Sequence, residues 1–183
     1  MGDPKKQRKK YSTPSHPWQR IRIDEERILL REYGLKNKRE IWKADSIQKK
    51  LKDQFKKLVA EKREQADIER KQLYDKVIAL GVLKPESKFD DVLNIGTKDI
   101  LNRRLQTILF LKNLARSIKQ ARQFIVHGHI CVAGKKITSP SYLVRVNEED
   151  TVCFAENSSL KDEMHPERVA IKEKKSGVGS EEK

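Results

Sequence analysis

Seven side chains between Leu101 and Phe154 carry the chemistry of this chain: Arg103, Arg104, Arg116, Lys119, Arg122, Gln123 and His127. Guanidinium groups bridge phosphate oxygens through paired N–H donors, and lysine acts as a point charge. Glutamine and histidine add donors for riboses or bases. The set suits a folded polyanion rather than bond-making catalysis. Positioning it requires helices. Leu105, Ile108 and Leu109 recur at helical spacing, which puts Arg103 opposite that stripe and Arg104 on its flank. After a turn from Asn113 to Arg116, Ser117 is placed to cap a second helix, with Gln120 at capping-box distance. Ile118, Ala121, Phe124 and Ile125 form its apolar arc. Lys119, Gln123 and His127 form another arc, with Arg122 at the boundary, where its stem can pack while its head reaches out. Gly128 is suited to ending the helix.

The sequence beyond Gly128 is strand-like. Ile130 and Val132 alternate with His129 and Cys131, and Ala133-Gly134-Lys135 predicts a tight turn. Tyr142–Val146 and Thr151–Phe154 are two further strand candidates, separated by an acidic turn over Asn147–Asp150. Two short helices capped by a small antiparallel sheet are expected for residues 101–154.

The remaining elements are helical. Asp24 to Tyr33 predicts a short helix capped by Asp24 and stopped at Gly34. Ile41, Ile47, Leu51, Phe55, Leu58 and Val59 predict a longer amphipathic helix. Ala66, Leu73, Val77 and Leu80 predict another, ending at Gly81. Pro85 breaks the helical pattern beyond Gly81, and Thr97 is a candidate N-cap for the helix entering the module. The fold class expected is α+β: a mostly helical region over 21–100 and the helix–sheet module over 101–154. A basic extended arm over 1–20 precedes them, and a polar tail over 155–183, expected to be disordered, comes after.

Charge supports the same partner. The chain has 183 residues, 36% hydrophobic and 37% charged, with a formal net charge of +14. Residues 1–60 carry +10 and residues 101–154 carry +6, while 61–100 and 155–183 each carry −1. Two basic blocks separated by neutral sequence fit nucleic acid. The arm places Lys5, Lys6, Arg8, Lys9 and Lys10 among Tyr11, His16 and Trp18, a composition for threading between phosphates and stacking on bases. Arg20, Arg22, Lys38 and Arg39 extend the basic set. A membrane partner is not expected: no apolar run approaches the ~18 residues of a span, and position 6 is Lys where a myristoylation signal wants Ser or Thr. No secretory segment is evident, and a cytosolic protein is expected.

Two cysteines, Cys131 and Cys153, have no Cys-x-x-Cys spacing. With His127 and His129 they could offer four ligands, but structural zinc sites show closer paired spacing, so packing is the expectation and no metal or cofactor is. No phosphate loop, nucleophile–base pair or carboxylate dyad is present, so no enzyme is expected. Asp90-Asp91 and Glu148-Glu149-Asp150 fit solvated turns.

The stretch RRLQTILFLKNLARSIKQARQFIVHGHICVAGKKITSPSYLV resembles the RNA-binding domain named after small-subunit ribosomal protein four. Arg103-Arg104-Leu105, Ala121-Arg122-Gln123, Ile125-x-His127-Gly128-x-Ile130, Val132-x-Gly134 and Pro140-Ser141 carry the likeness together. Arg31-Glu32-Tyr33-Gly34-Leu35, Asn37-Lys38-Arg39-Glu40 and Asp99-Ile100-Leu101-Asn102 extend it, so that Trp18 to Phe154 is similar to the archaeal and eukaryotic form of that ribosomal family. The resemblance implies a structural, rRNA-binding component of the small subunit that holds a multi-helix junction early in assembly. It also implies a place near small-subunit ribosomal protein five and the path by which mRNA enters, with influence on decoding accuracy. Some bacterial members carry an N-terminal zinc knuckle, which this chain, lacking cysteine before Cys131, does not share. The module also occurs in RNA-modifying enzymes and in ribosome-associated factors. These are the alternatives, separated by an attached catalytic domain or by loss of the Tyr33-Gly34-Leu35 region.

Overall fold

The computed structural model describes residues 9–61, 63–162 and 164–168. It is an α+β fold. Among the described residues, the α-helices run in the order α1 (Arg20–Glu32), α2 (Lys38–Ala60), α3 (Glu64–Ala79), α4 (Thr97–Asn102), α5 (Leu105–Leu111), α6 (Ile118–Val126) and α7 (Val146–Glu149), with 3-10 turns at Phe89–Asn94 and Ser159–Lys161. The strands are β1 (Ile130–Val132), β2 (Lys135–Lys136) and β3 (Cys153–Phe154), in the antiparallel order β2-β1-β3.

α1 begins four residues before the expected cap. Asp24 lies inside the helix, where it pairs with Arg27 at 3.1 Å and with Arg20 at 3.8 Å. Its end is as expected: Gly34 has φ +56°, and Leu35 N–H donates to the Leu30 carbonyl at 3.0 Å, a Schellman-type closure. A methyl group on Gly34 would stand 2.9 Å from Ile118 Cγ2, so this helix end presses directly on α6.

α2 buries Ile41, Ala44, Leu51, Phe55 and Leu58, all on one stripe. Ile47 and Val59, expected on that stripe, are exposed at its edges. α3 covers the stripe with Ala66, Leu73 and Val77. Tyr33, Val92, Ile95, Ile100 and Leu101 complete this first core. Thr97 is the first residue of α4 rather than its cap. Gly96 holds the cap position, and its N–H is accepted by Asp99 at 2.7 Å, while the Thr97 hydroxyl bonds Gln48 Oε1 at 3.2 Å.

The second core belongs to the module. Leu105, Ile108, Leu109, Ala121, Ile125, Ile130 and Val144 are almost wholly inaccessible. Ile130 and Val132 point into it from β1, and Cys131 faces outward opposite Cys153 of β3 and Lys136 of β2. Lys135 opens β2 and is not a turn residue; Ala133 and Gly134 alone make the turn. Tyr142–Val146 is not a strand. It contributes one bridge, Leu143 to Arg104, and the acidic turn beyond it is α7. Glu148 drives that change, since its carboxylate accepts both the Arg145 N–H (3.2 Å) and the Tyr142 hydroxyl (2.9 Å), nucleating a helical turn.

The tail expectation also changes. Ala155, Ser158 and Leu160 are buried, and Leu160 packs into the module core, because Ser158 anchors the segment to His129. Residues 169–183 lie outside the described residues.

Candidate nucleic-acid interface

α6 is built as its sequence requires. The Ser117 hydroxyl accepts the Gln120 N–H at 3.2 Å, and Gln120 Oε1 reaches back to the Arg116 N–H at 2.7 Å. The apolar arc of Ala121, Phe124 and Ile125 is buried. That leaves Arg116, Lys119, Gln123 and His127 exposed along the opposite side, running from the helix start to its end. Gly128 ends the helix at φ +75°, and His129 N–H donates to the Phe124 carbonyl at 2.9 Å. Lys136 crosses this glycine so closely that an added methyl would meet its Cε at 2.1 Å, which brings the β2 ammonium beside His127. The result is an exposed basic and polar strip along α6, continued by the hairpin lysines. One acidic residue intrudes. Glu167 accepts from Gln120 Nε2 at 2.6 Å and lies 3.8 Å from Arg116 Nη2.

Three arginines predicted to face outward do not. Arg103 ends α4 and turns under the Gly81 loop, paired with Glu149 at 2.9 Å and the Val144 carbonyl at 3.1 Å. The Arg104 residue is only 5% exposed and donates to Glu40 Oε2 at 2.6 Å. Arg122 bonds both oxygens of the same carboxylate, at 2.7 and 3.2 Å, and Gln106 Oε1 at 3.3 Å. The correction has a physical reason: Arg104 and Arg122 lie on flanks against which α2 packs with Glu40, whereas Arg103, opposite the α5 stripe, is covered by the Gly81 loop and α7. Burial alone would raise the Glu40 carboxyl, but the Arg122 hydrogen bond and the Arg104 charge hold it below the usual carboxylate range. Gln106, buried beside this group, donates to the Gly34 and Ile118 carbonyls at 3.1 Å each, and Tyr33 donates to Asn102 at 2.9 Å. Polar bonds thus join the helical region to the module at several points of their contact.

The N-terminal basic residues divide in the same manner. Glu26, also buried, takes Arg22, Lys38 (3.0 Å) and the Trp42 indole N–H (2.9 Å). Burial pushes this carboxyl up, and those three donors more than offset it, leaving it below its ordinary value. Arg22 also fastens the arm through the His16 and Pro17 carbonyls at 3.1 and 2.9 Å, and Ser12 N–H donates to Ser46 Oγ at 3.1 Å. Arg20, Arg39, Lys9 and Lys10 stay exposed, with Lys9 Nζ 4.8 Å from the Tyr11 ring centre. Lys5, Lys6 and Arg8 lie outside the described residues.

The histidine–cysteine set does not converge. His129 is half-buried, its Nδ1 2.8 Å from Ser158 Oγ, and its ring is 6.4 Å from that of His127. Among the described residues, no three of the chain's His, Cys, Asp and Glu side chains are grouped to hold a metal ion. No described helix is long and apolar enough to cross a membrane. The acidic partners Glu40, Glu26 and Glu167 were not legible as site residues. Gln106, a polar side chain inside the apolar run Leu105 to Leu109, was the one local signal that something polar crosses the core there.

Comparison with known proteins places the chain in a family. The S4 domain family matches residues 103–150. Small ribosomal subunit protein uS4 of Thermoplasma acidophilum is 47% identical over 93% of this chain and 87% of its own length. The protein of the same name from Saccharolobus solfataricus is 49% identical over 88% and 90%, and that from Picrophilus torridus 47% over 100% and 99%. These relatives are ribosomal proteins, not enzymes, which removes the RNA-modifying alternative. With this identity sustained across both the helical region and the module, the chain belongs to the small ribosomal subunit protein uS4 family.

Proposed function

We propose that the protein is a structural constituent of the small ribosomal subunit that binds small-subunit rRNA directly through the outer face of α6, the β1–β2 hairpin and the basic arm. The observation carrying this reading is the strip of Arg116, Lys119, Gln123 and His127, exposed on a helix whose opposite side is fully packed. A-form RNA hides its base edges in a deep groove, so a protein reads its shape, phosphates and unpaired nucleotides. A helical face with Arg116 and Lys119 near its start and the donors Gln123 and His127 one turn apart beyond them suits contact along a phosphate backbone. The backbone N–H groups at the start of α6 add to the attraction. Lys9, Lys10, Arg20 and Arg39, exposed on the arm and on α1 and α2, provide further basic contacts.

In this reading the two cores act as one rigid clamp on an RNA junction, which suits an early role in subunit assembly. A place in the cytoplasmic small subunit near small-subunit protein five and the path of entering mRNA, with influence on translational accuracy, follows from family membership. The functional units are 1–20, 21–100, 101–154 and 155–183, with the stretch to Arg168 serving the module. Binding of the purified protein to small-subunit rRNA, measured at several salt concentrations, tests the proposal. Phosphate neutralisation releases counterions, so affinity should fall steeply with salt, and the protein should stay with small subunits through a high-salt wash. A flat salt dependence would remove the electrostatic basis.

A further inference from the structure

We infer that the junction between the helical region and the module contains a pocket for a single RNA phosphate, separate from the α6 outer face; the inference rests on the rRNA-binding reading above. A cavity of about 330 Å³ opens there, and Glu40, Lys43, Arg104, Arg122 and Ser141 line it, with Leu143 among its apolar walls. Its charged lining is three cations against one carboxylate, a net of +2. Glu40 does not neutralise the site. It grips both guanidiniums and fixes them side by side, Arg104 at 2.6 Å and Arg122 at 2.7 Å.

The donor inventory points to a further acceptor. Each guanidinium carries five N–H donors, and of the ten, four are used among the described residues: three on Glu40 and one on Gln106. The Arg104 side chain is 6% exposed, and its Nε is buried with no partner among the described residues. Buried donors left unmatched are costly, and a planar guanidinium pair is shaped for the oxygens of a phosphate. Lys43 and Ser141 are exposed at the rim, where an ammonium and a hydroxyl can meet the remaining oxygens. A phosphodiester fits the chemistry: one negative charge, with two unesterified oxygens to share among these donors. Glu40 is then a positioning residue, which orders the two arginines without touching the ligand.

The test uses the full chain. Arginine side-chain N–H signals are followed by NMR during titration with inorganic phosphate. In parallel, rRNA affinity and its salt slope are measured for wild type, Lys43→Ala and Ser141→Ala. Both substitutions are at exposed positions, and circular dichroism checks the fold. We expect a saturable shift of the Arg104 and Arg122 signals, reduced in Lys43→Ala. We also expect rRNA binding about tenfold weaker in Lys43→Ala, with a salt slope smaller by about one. Unsaturable shifts spread over all surface cations mean an adventitious ion only and overturn the pocket. Unchanged rRNA affinity and slope in Lys43→Ala, with wild type still binding, overturns the pocket while leaving the proposed function intact. If Lys43→Ala keeps rRNA affinity but loses retention on small subunits, the cavity takes a protein carboxylate, and the inference also fails. Wild type that binds no rRNA defeats the proposed function, whatever the phosphate titration gives.

Discussion

The outer face of α6 and the junction beneath it use the same residue types for different work. On the outer face, Arg116 and Lys119 are exposed, and Arg116 has a half-exposed ion pair with Glu167 at 3.8 Å. At the junction, Arg104 and Arg122 are tied to Glu40 and help hold two cores together. Exposed ion pairs contribute little to stability, whereas breaking a buried pair from one side leaves an uncompensated charge in a poor solvent. A basic residue's contribution therefore depends on where its head group ends up. On the proposed function, the outer face is expected to govern RNA affinity with little effect on stability, and the junction to govern stability first.

The largest effect should come from Glu40→Ala, which strands two guanidiniums. We expect a loss of about 3 kcal/mol in urea denaturation. A change below about 1 kcal/mol would erase the distinction between the two regions. The same carboxylates set an acid limit. Glu40 and Glu26 are both held below their ordinary range, so the stability they contribute is complete above about pH 5 and is lost as pH falls through their folded values. Denaturation midpoints should thus be level near neutrality and decline below about pH 4, less steeply in Glu40→Gln.

Gly34→Ala comes next. Its left-handed backbone and its 2.9 Å approach to Ile118 predict about 2 kcal/mol of destabilisation, with rRNA affinity retained wherever the protein is folded. Arg116→Ala should do the reverse: a weakening of rRNA binding by about 1–2 kcal/mol, a salt slope lower by about one, and an unchanged melting curve. Arg122→Ala should show both losses at once, so the contrast between Arg116 and Arg122 is the direct measure of the comparison. The smallest effect is expected for Glu167→Ala. Its contacts with Arg116 and Gln120 are half-exposed, and removing them should strengthen rRNA binding by no more than about 0.5 kcal/mol. Unchanged or weaker binding would show that Glu167 orders Arg116 rather than competing for it.

Much of this protein is written locally. The period of Leu105, Ile108 and Leu109, the Ser117 cap with Gln120, and the stops at Gly34 and Gly128 depend on neighbours within one turn, so the sequence alone determined α5, α6 and the ends of α1 and α6. The two basic blocks and the α+β class come from the same short-range patterns. The tertiary structure decided which cations are available. Arg104 and Arg122 look equivalent to Arg116 along the chain. Only the packing of α2, 64 and 82 residues away in sequence, brings Glu40 onto them. Likewise, Ser158, 29 residues beyond His129, drew a polar tail into the core through it. Helical periodicity is a property of adjacent turns and survives in the bare sequence. The burial of a charge depends on elements distant in the chain, and only the assembled fold sets it.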